Sequence, residues 1–401
     1  MEGGLLWAGA PLHLGWEMLR HLGDRRVVAE AYPNYQKWLE LLHANASRSA
    51  DGVITQDLYE SKSHHSRWFF IGDWRAPGER REWRDSPEAA LFNNCTYALN
   101  LKMMTDIAAA LRRDDDVTLY SGRLDRLREA IHAKFFNAEK NIYLDTRRQV
   151  HLAFPLLTGV VPEELEPAIL ASLKEAMTEP VDTAGLLANS EGWSGANPKL
   201  EWTPSPEWTQ PAPFLDVGSS GLPVLLQYLI EDAEWNDVLY GAINKTTFPG
   251  YGFFLERGQT TWPESWGAAS YSRIHTCFTG IAAWFIKGIG GIRTAPTHHG
   301  YSHFIIKPHL VGDLSYANTS IPSPYGPIVS NWKCGDGEAQ LHIEIPPNTT
   351  ATVYVPGSDI ENVTESGGPA RDAEGVRFLR VEDDRLVFEV ESGTYEFVSK
   401  N

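Results

Sequence analysis

The first part of the chain, up to about residue 290, has the hydrophobic spacing of amphipathic helices. In the segment 89–111, apolar residues such as Leu91, Leu101 and Ile107 follow a period close to 3.6. The long connections between such segments are rich in Pro, Gly and Trp, and they favour an α/α toroid over a bundle, whose connections usually have about 2–8 residues. These connections span residues 46–88, 189–217 and 246–267. The other predicted helices span residues 5–22, 27–42, 124–136, 151–159, 163–177, 218–230, 233–244 and 268–288.

From Tyr301 onward the pattern changes to short segments in which apolar and polar residues alternate. Segments such as 339–345 (AQLHIEI) and 385–390 (RLVFEV) are rich in β-branched residues and are separated by turn residues. Several strands at this spacing predict a small antiparallel β-sandwich. We therefore expect a helical domain over residues 1–295 and a β-sandwich domain over residues 296–401.

The composition narrows the classes of partner. The chain has 401 residues, with 35 Lys and Arg against 52 Asp and Glu, and a formal net charge of −17. Such a charge repels phosphate backbones and anionic lipids, so we expect neither nucleic-acid nor membrane binding. The 14 Trp and 15 Tyr residues offer flat faces on which sugar rings can stack. The acidic run 114–116 is interpreted as a solvated connection that ends a helix.

Cysteine usage and the N-terminal segment bear on processing. Cys95, Cys277 and Cys334 are scattered and odd in number, which predicts free thiols rather than a disulfide framework. Residues 1–20 lack the unbroken apolar core of a signal peptide, which favours a cytoplasmic location. The patterned sequence begins abruptly, so we expect a fragment of a longer protein. No histidine or cysteine spacing indicates a metal or another cofactor.

A first cluster of candidate site residues lies in the loop 68–88. Carboxylates and indoles together can transfer protons and stack a sugar ring. A solvated charged loop is the alternative interpretation. The cluster contains Asp73, Trp74, Glu79, Glu82, Trp83, Asp85 and Glu88.

A second candidate is Glu264, which stands between Trp262 and Trp266. The alternative is that these tryptophans only cap the helical domain. If a toroid brings this loop and the loop 68–88 to the same mouth, two facing carboxyls would form the acid and base of a glycoside hydrolase.

These motifs, taken in order, resemble the catalytic region of the glycoside hydrolase family 78 α-L-rhamnosidases. The resemblance implies a mainly α fold, an (α/α)6-barrel-like toroid followed by a small antiparallel β-sandwich. The predicted helices are fewer than a closed barrel of this kind contains, so we expect an incomplete barrel without its entry helices. The matching segments are 19–42, FIGDW at 70–74, 96–111, 216–229, GQTTWPESW at 258–266, 272–292 and 300–332.

The resemblance also implies roles for individual residues. Glu79 corresponds to the general acid, with Glu82 as a competitor for that role, and Glu264 corresponds to the general base. An inverting mechanism would place the acid and base carboxyls roughly 6.5–9.5 Å apart. The residues expected to hold the sugar are Asp73, Trp74, Trp83, Asp85, Trp262, Trp266 and His275, with Trp193, Trp202 and Trp208 as further candidates for its stacking platform.

The implied substrate is a rhamnose-containing glycoside or polysaccharide, from which terminal α-L-rhamnose is removed without a cofactor. Two alternatives remain open. One is an (α/α)6 enzyme that acts on a different terminal sugar, and the other is a non-catalytic sugar-binding fragment.

Overall fold

The computed structural model describes residues 4–56, 70–77, 80–178, 213–256, 258–266, 272 and 274–400. These residues form two compact units. One comprises Met1–Leu14 and Ala31–Gly280, and the other comprises Gly15–Glu30 and Ile281–Asn401. The boundary expected at 295/296 remains a prediction. In the described part of the chain, no helix combines the length and apolar character needed to cross a bilayer.

The first unit is mainly helical, as the 3.6-residue periodicity predicts. Its central helix, α4, begins at Pro87 after Ser86, whose hydroxyl accepts a hydrogen bond from the Ala89 N–H at 3.1 Å. Most side chains of α4 are buried, which places it inside the unit. Among the described residues, the α-helices that begin before residue 281 are α1 (Leu5–Ala8), α2 (Ala10–Leu22), α3 (Arg25–Ala46), α4 (Pro87–Ala110), α5 (Asp114–Phe135), α6 (Gln149–Leu157), α7 (Glu166–Thr178), α8 (Gly221–Gln227), α9 (Asn236–Asn244) and α10 (Tyr251–Glu256).

The acidic run 114–116 forms the first turn of α5, so its interpretation as the end of a helix was wrong. Carboxylates at this position interact favourably with the partial positive charge of the helix N-terminus. The helix α10 is also an addition, since it lies in the segment 246–267 for which we expected a loop. The predicted helix at 268–288 is described only in part. There, a 3₁₀ segment at Thr276–Ile281 precedes α11 (Ala282–Trp284) and a π-helical turn at Phe285–Ile289.

A small hairpin carries part of the first candidate cluster. Its strands are β1 (Trp74–Ala76) and β2 (Arg80–Arg81), which pair antiparallel. Backbone hydrogen bonds continue the pairing, from Glu82 N to Asp73 O at 3.0 Å and from Gly72 N to Glu82 O at 2.9 Å. A second small hairpin, β3 (Phe136–Asn137) and β4 (Ile142–Tyr143), follows α5.

Two sheets dominate the second unit. Among the described residues, a five-stranded sheet has the order β13-β14-β10-β6-β5 and a six-stranded sheet the order β12-β11-β15-β9-β8-β7. The strands pair antiparallel, except that β10 and β6 are parallel. Their bounds are β5 (Ile292–Thr294), β6 (His303–Ile306), β7 (Tyr316–Ser323), β8 (Gly326–Gly335), β9 (Glu338–Ile345), β10 (Thr350–Pro356), β11 (Val363–Glu365), β12 (Gly368–Pro369), β13 (Val376–Glu382), β14 (Arg385–Val390) and β15 (Gly393–Lys400).

Apolar strand residues form the core of this unit. In β9 they alternate, so that Leu341 and Ile343 are buried while Gln340 is exposed. In β14 the consecutive side chains of Leu386, Val387 and Phe388 are all buried. The fold class expected from the sequence, a helical glycosidase-type domain followed by an antiparallel-rich sheet domain, is therefore confirmed. The parallel pair and the strand β7 were not predicted.

Candidate active site

Glu264 is held by two donors from β1. Its Oε1 accepts a hydrogen bond from Trp74 Nε1 at 3.0 Å, and its Oε2 accepts one from Arg75 Nη1 at 2.7 Å. The Glu264 side chain is 18% exposed and that of Arg75 is 8% exposed. The carboxylate is therefore fixed in orientation and still reachable by a small molecule.

The backbone around Glu264 is also fixed. Its N–H donates to Ser272 O at 3.1 Å, and the His275 N–H donates to Trp262 O at 2.8 Å. These bonds pair the segment 262–264 with the segment 272–275. Glu264 and His275 therefore lie on two segments whose backbones are joined by these hydrogen bonds.

An irregular strand explains why Trp74 and Arg75 reach the same carboxylate. Successive side chains of a regular strand point to opposite faces. The pairing of β1 with β2 shifts register between Trp74 and Ala76, and Arg75 has a φ of +59°. Such an irregularity re-aims a side chain, and here it turns the Arg75 guanidinium toward Glu264.

The peptide before Arg75 is held from a second loop. Trp74 O accepts from Ser219 N at 2.7 Å and from the Ser219 hydroxyl at 3.1 Å. A Cβ atom on the neighbouring Gly218 would overlap the Trp74 carbonyl, so only glycine permits this approach. The loop before α8 therefore helps to place β1.

Asp73 is fully buried and faces away from solvent. Its Oδ1 accepts from Gly221 N at 2.8 Å and Trp74 N at 3.0 Å, and its Oδ2 accepts from Gly218 N at 2.7 Å and Arg148 Nη2 at 3.0 Å. Burial raises the pKa of Asp73, and the nearby Glu82 carboxylate acts in the same direction, while Arg148 and the two glycine amides oppose the shift. The Asp73 carboxyl is too deeply buried in this structure to contact a sugar directly, whereas the resemblance implied such a contact.

Glu82 is buried in the same network. It pairs with Arg148 Nη1, its Oε1 lies 2.9 Å from His151 Nε2, and its Oε2 accepts from Asp73 N at 2.7 Å. Burial opposes ionisation of Glu82, but the charges of His151 and Arg148 together with its hydrogen bonds lower its pKa to about 2. The two carboxylates in turn raise the pKa of Arg148 further above its ordinary value, against the effect of burial.

The predicted sugar-binding tryptophans divide into two groups. Trp74 and Trp83 are half-buried and meet edge to face, with ring centroids 5.6 Å apart, and Trp262 is also half-buried. Trp266 is only 1% exposed, stacks on Phe254 at 5.6 Å and donates from Nε1 to Val217 O at 2.7 Å. Trp266 is therefore a core residue in this structure, whereas the other three have surface available to a ligand.

The remaining candidates differ in exposure. Asp85 is exposed, and His275 is half-buried on a segment whose backbone bonds to Trp262 O. Glu79, Trp193, Trp202 and Trp208 lie outside the described residues, so the structure does not place the expected general acid.

Sequence reasoning missed Arg75, Arg148 and His151. Arg75 directly follows the GDW motif, so its position was a usable signal. Arg148 and His151 lie at the start of α6, far along the chain from Glu82, and no local pattern links these residues. In the part of the chain that is described, no group of three His, Cys, Asp or Glu side chains has the arrangement of a metal site.

Two protein-family models match most of this chain. A model described as the bacterial alpha-L-rhamnosidase 6 hairpin glycosidase domain matches residues 1–191 and 208–289. A second, the bacterial alpha-L-rhamnosidase C-terminal domain, matches residues 291–369. The helical part of the chain is thus a six-hairpin glycosidase domain. The chain belongs to the bacterial α-L-rhamnosidase family.

Individual relatives agree with this assignment. The α-L-rhamnosidase of Streptomyces avermitilis is 25% identical over 404 residues, which cover 98% of this chain and 32% of the relative. An α-L-rhamnosidase of Formosa agariphila is 29% identical over 379 residues, which cover 90% of this chain and 34% of the relative. The chain therefore spans about a third of the length of these curated relatives.

Solved structures show the same fold. The crystal structure of the Streptomyces avermitilis α-L-rhamnosidase complexed with L-rhamnose matches with a TM-score of 0.74 and 24% identity, over 98% of this chain and 33% of that chain. The α-L-rhamnosidase from Dictyoglumus thermophilum also matches with a TM-score of 0.74, at 22% identity, over 97% of this chain and 39% of that chain.

Proposed function

We propose that this chain supplies the general base of an inverting α-L-rhamnosidase, with Glu264 as that base. The observation that carries the proposal is the two-donor arrangement around Glu264. Trp74 and Arg75 each donate a hydrogen bond to a different oxygen of Glu264. The Glu264 side chain is still 18% exposed, which leaves room for a water molecule. A base that must remove a proton from water needs both an ionised carboxylate and a fixed direction.

The reaction would need an acid on the other side of the scissile bond. Glu79 is our candidate, on the strength of its spacing from Asp73 and of the family resemblance. Glu82 is less suited to the role, because its pKa of about 2 keeps it ionised and its oxygens are occupied by His151, Arg148 and the Asp73 amide. An inverting arrangement requires a separation of roughly 6.5–9.5 Å between the acid and base carboxyls.

The same geometry suggests how rhamnose would be held. Trp74, Trp83 and Trp262 are half-buried aromatic rings that can pack against the apolar face of a deoxy-sugar. His275 and Asp85 are available for its hydroxyls. Asp73 and Trp266 would act from beneath the site, since both are buried.

The first experiment is to replace Glu264 by Gln in the 401-residue chain. We expect hydrolysis of p-nitrophenyl α-L-rhamnoside to fall by about 10²–10⁴-fold, because the proton acceptor is lost while the shape is kept. The replacement Glu344→Gln on β9 is a matched control, since Glu344 lies outside the site and half-exposed. Near-normal turnover by Glu264→Gln would remove the base assignment.

The stereochemical outcome needs its own measurement. Proton NMR of the first product formed from the α-rhamnoside should show β-L-rhamnose before mutarotation, as inversion requires. Initial α-L-rhamnose would contradict the inverting mechanism. Calorimetric binding of rhamnose without any release of product by the wild-type chain would favour the sugar-binding alternative.

A further inference from the structure

The buried network of Asp73, Glu82, Arg148 and His151 does not touch the substrate in the proposed reaction, yet it contacts the backbone that carries both donors to Glu264. We propose that Arg148 is a positioning residue for Glu264 and acts through Asp73 and Glu82 on the placement of Trp74 and Arg75. This inference rests on the proposed function of Glu264 as the base.

Arg148 joins two carboxylates that hold the peptide around residue 73 from both sides. Nη2 donates to Asp73 Oδ2 at 3.0 Å, and Nη1 pairs with Glu82 Oε1. Glu82 Oε2 then accepts from the Asp73 N–H, and Asp73 Oδ1 accepts from the Trp74 N–H. The guanidinium therefore fixes the two peptide groups that immediately precede the Trp74 side chain.

The same network also holds the loop 218–221, which is the second contact that supports β1. The Asp73 carboxylate accepts from the amides of Gly218 and Gly221, and Ser219, between them, donates to Trp74 O. The loop 218–221 and the strand β1 are consequently anchored to one carboxylate. Movement of Asp73 would disturb both contacts.

Because the side chains of this network are buried, the proposed role does not involve contact with the substrate. The side chain of Arg148 is 11% exposed, and the side chains of Asp73, Glu82 and His151 are at most 5% exposed. Asp216 adds a further negative charge near Arg148. A rigid planar fork can bridge two carboxylates at fixed angles, which the single ammonium group of lysine cannot do.

The test uses two variants of the 401-residue chain. Arg148→Lys retains a positive charge opposite the buried carboxylates and removes the bridging fork. Asp73→Asn retains the shape of the side chain and removes one acceptor oxygen. The matched control is Arg128→Met, because Arg128 is a partly buried arginine of the same unit that donates to Thr158 O at 2.8 Å.

Two readouts distinguish positioning from general support of the fold. The indole N–H signal of Trp74 in ¹H–¹⁵N spectra, assigned by its loss in Trp74→Phe, reports the bond to Glu264. In Arg148→Lys and Asp73→Asn we expect this signal to move toward its position in Glu264→Gln. We also expect kcat for p-nitrophenyl α-L-rhamnoside to fall about 100-fold with a smaller change in KM, as for a base that is displaced by about 1 Å.

The outcomes separate this proposal from the previous one. An unmoved Trp74 signal with unchanged kcat in both variants would overturn the positioning role. Loss of activity only in proportion to the unfolded fraction, with the Trp74 signal unmoved, would also overturn it. If the wild-type chain does not hydrolyse rhamnosides but the signal moves in both variants and not in Arg128→Met, the positioning of Glu264 stands and the proposed reaction fails.

Discussion

The side chains of Trp74 and Arg75 are adjacent in a strand and still contact the same carboxylate. A non-glycine residue with positive φ, such as Arg75, carries a cost of about 1–2 kcal/mol. The structure around it overcomes that cost with hydrogen bonds to Asp73 and to Trp74 O. We interpret this local strain as the means by which two neighbouring donors are aimed at one acceptor.

Lys245 provides a prediction about pH. Burial lowers the pKa of its ammonium group to about 8, so the folded chain binds fewer protons than the unfolded chain between about pH 8 and 10.5. Stability should therefore rise with pH across this window. A shift of this size corresponds to about 3 kcal/mol, which partial exposure reduces to roughly 1–2 kcal/mol.

The variant Lys245→Met should be more stable than the wild type at pH 7, and this advantage should shrink as the pH approaches 10.5. Urea unfolding at a series of pH values measures the difference. Lys333→Met on β8 is the control, since Lys333 is exposed. If the stability advantage of Lys245→Met stays constant from pH 7 to 10.5, the pKa of Lys245 is not lowered by burial.

At the scale of secondary-structure elements, β1 is placed by α6 and by the loop before α8. The contacts come from Arg148 at the start of α6 and from Gly218 and Ser219 in the loop. Each element contributes a polar group to the same short stretch of backbone. The position of β1 is therefore determined by tertiary contacts more than by its two-residue partner strand.

Gly218 tests this interpretation. The Cβ of Gly218→Ala would overlap the carbonyl of Trp74, so the loop or the strand must move. We expect a loss of about 1–3 kcal/mol in the free energy of unfolding, together with a fall in rhamnoside hydrolysis larger than that loss explains.

Gly335→Ala is the matched control, because a Cβ there meets no atom within 4 Å. Denaturant unfolding and kcat/KM should both stay close to the wild-type values in this variant. If Gly218→Ala behaves like Gly335→Ala, the loop before α8 does not support β1 in the way that we describe.

At the scale of the whole molecule, the sequence predicted the helices and strands with periodic patterns better than it predicted the charged segments. The spacing near 3.6 located α4, and the alternation in residues 339–345 located β9, where burial on one face determines the pattern. One-sided burial does not explain α4, which is buried on most sides, or β14, where Leu386, Val387 and Phe388 are buried in succession. The run at 114–116 was misinterpreted, since acidic residues are favoured both in solvated connections and at helix starts.

The site shows a similar division. Glu264 and Trp74 were named from two separate motifs, and the structure joins them by a hydrogen bond, while their roles stay predictions. Trp266 was expected to hold the sugar but lies in the core. An indole in a loop can belong to the core or to a ligand surface, and the sequence does not distinguish the two. The pairing of Arg148 with Asp73 and Glu82 depends on how α6 packs, which no local pattern encodes.

The net charge leads to a prediction about salt. A neutral deoxy-sugar glycoside gains no electrostatic steering from a protein of charge −17, so its association should not depend on ionic strength. We expect kcat/KM for p-nitrophenyl α-L-rhamnoside to change less than twofold between about 0.01 and 0.5 M NaCl. A change of tenfold or more would contradict this expectation and would indicate that salt acts on charged groups of the site itself, such as the pair of Arg75 and Glu264.

The tripeptide Asp73-Trp74-Arg75 also has a consequence for engineering of this chain. Its first residue lies in the buried network, and the next two contact Glu264, so a library that randomises the GDW loop would mostly sample inactive variants. Trp83 is half-buried and Asp85 is exposed on the same loop, so both keep surface that a ligand can reach. Diversity confined to these two positions should vary the sugar preference while the proposed base and its two donors are left unchanged.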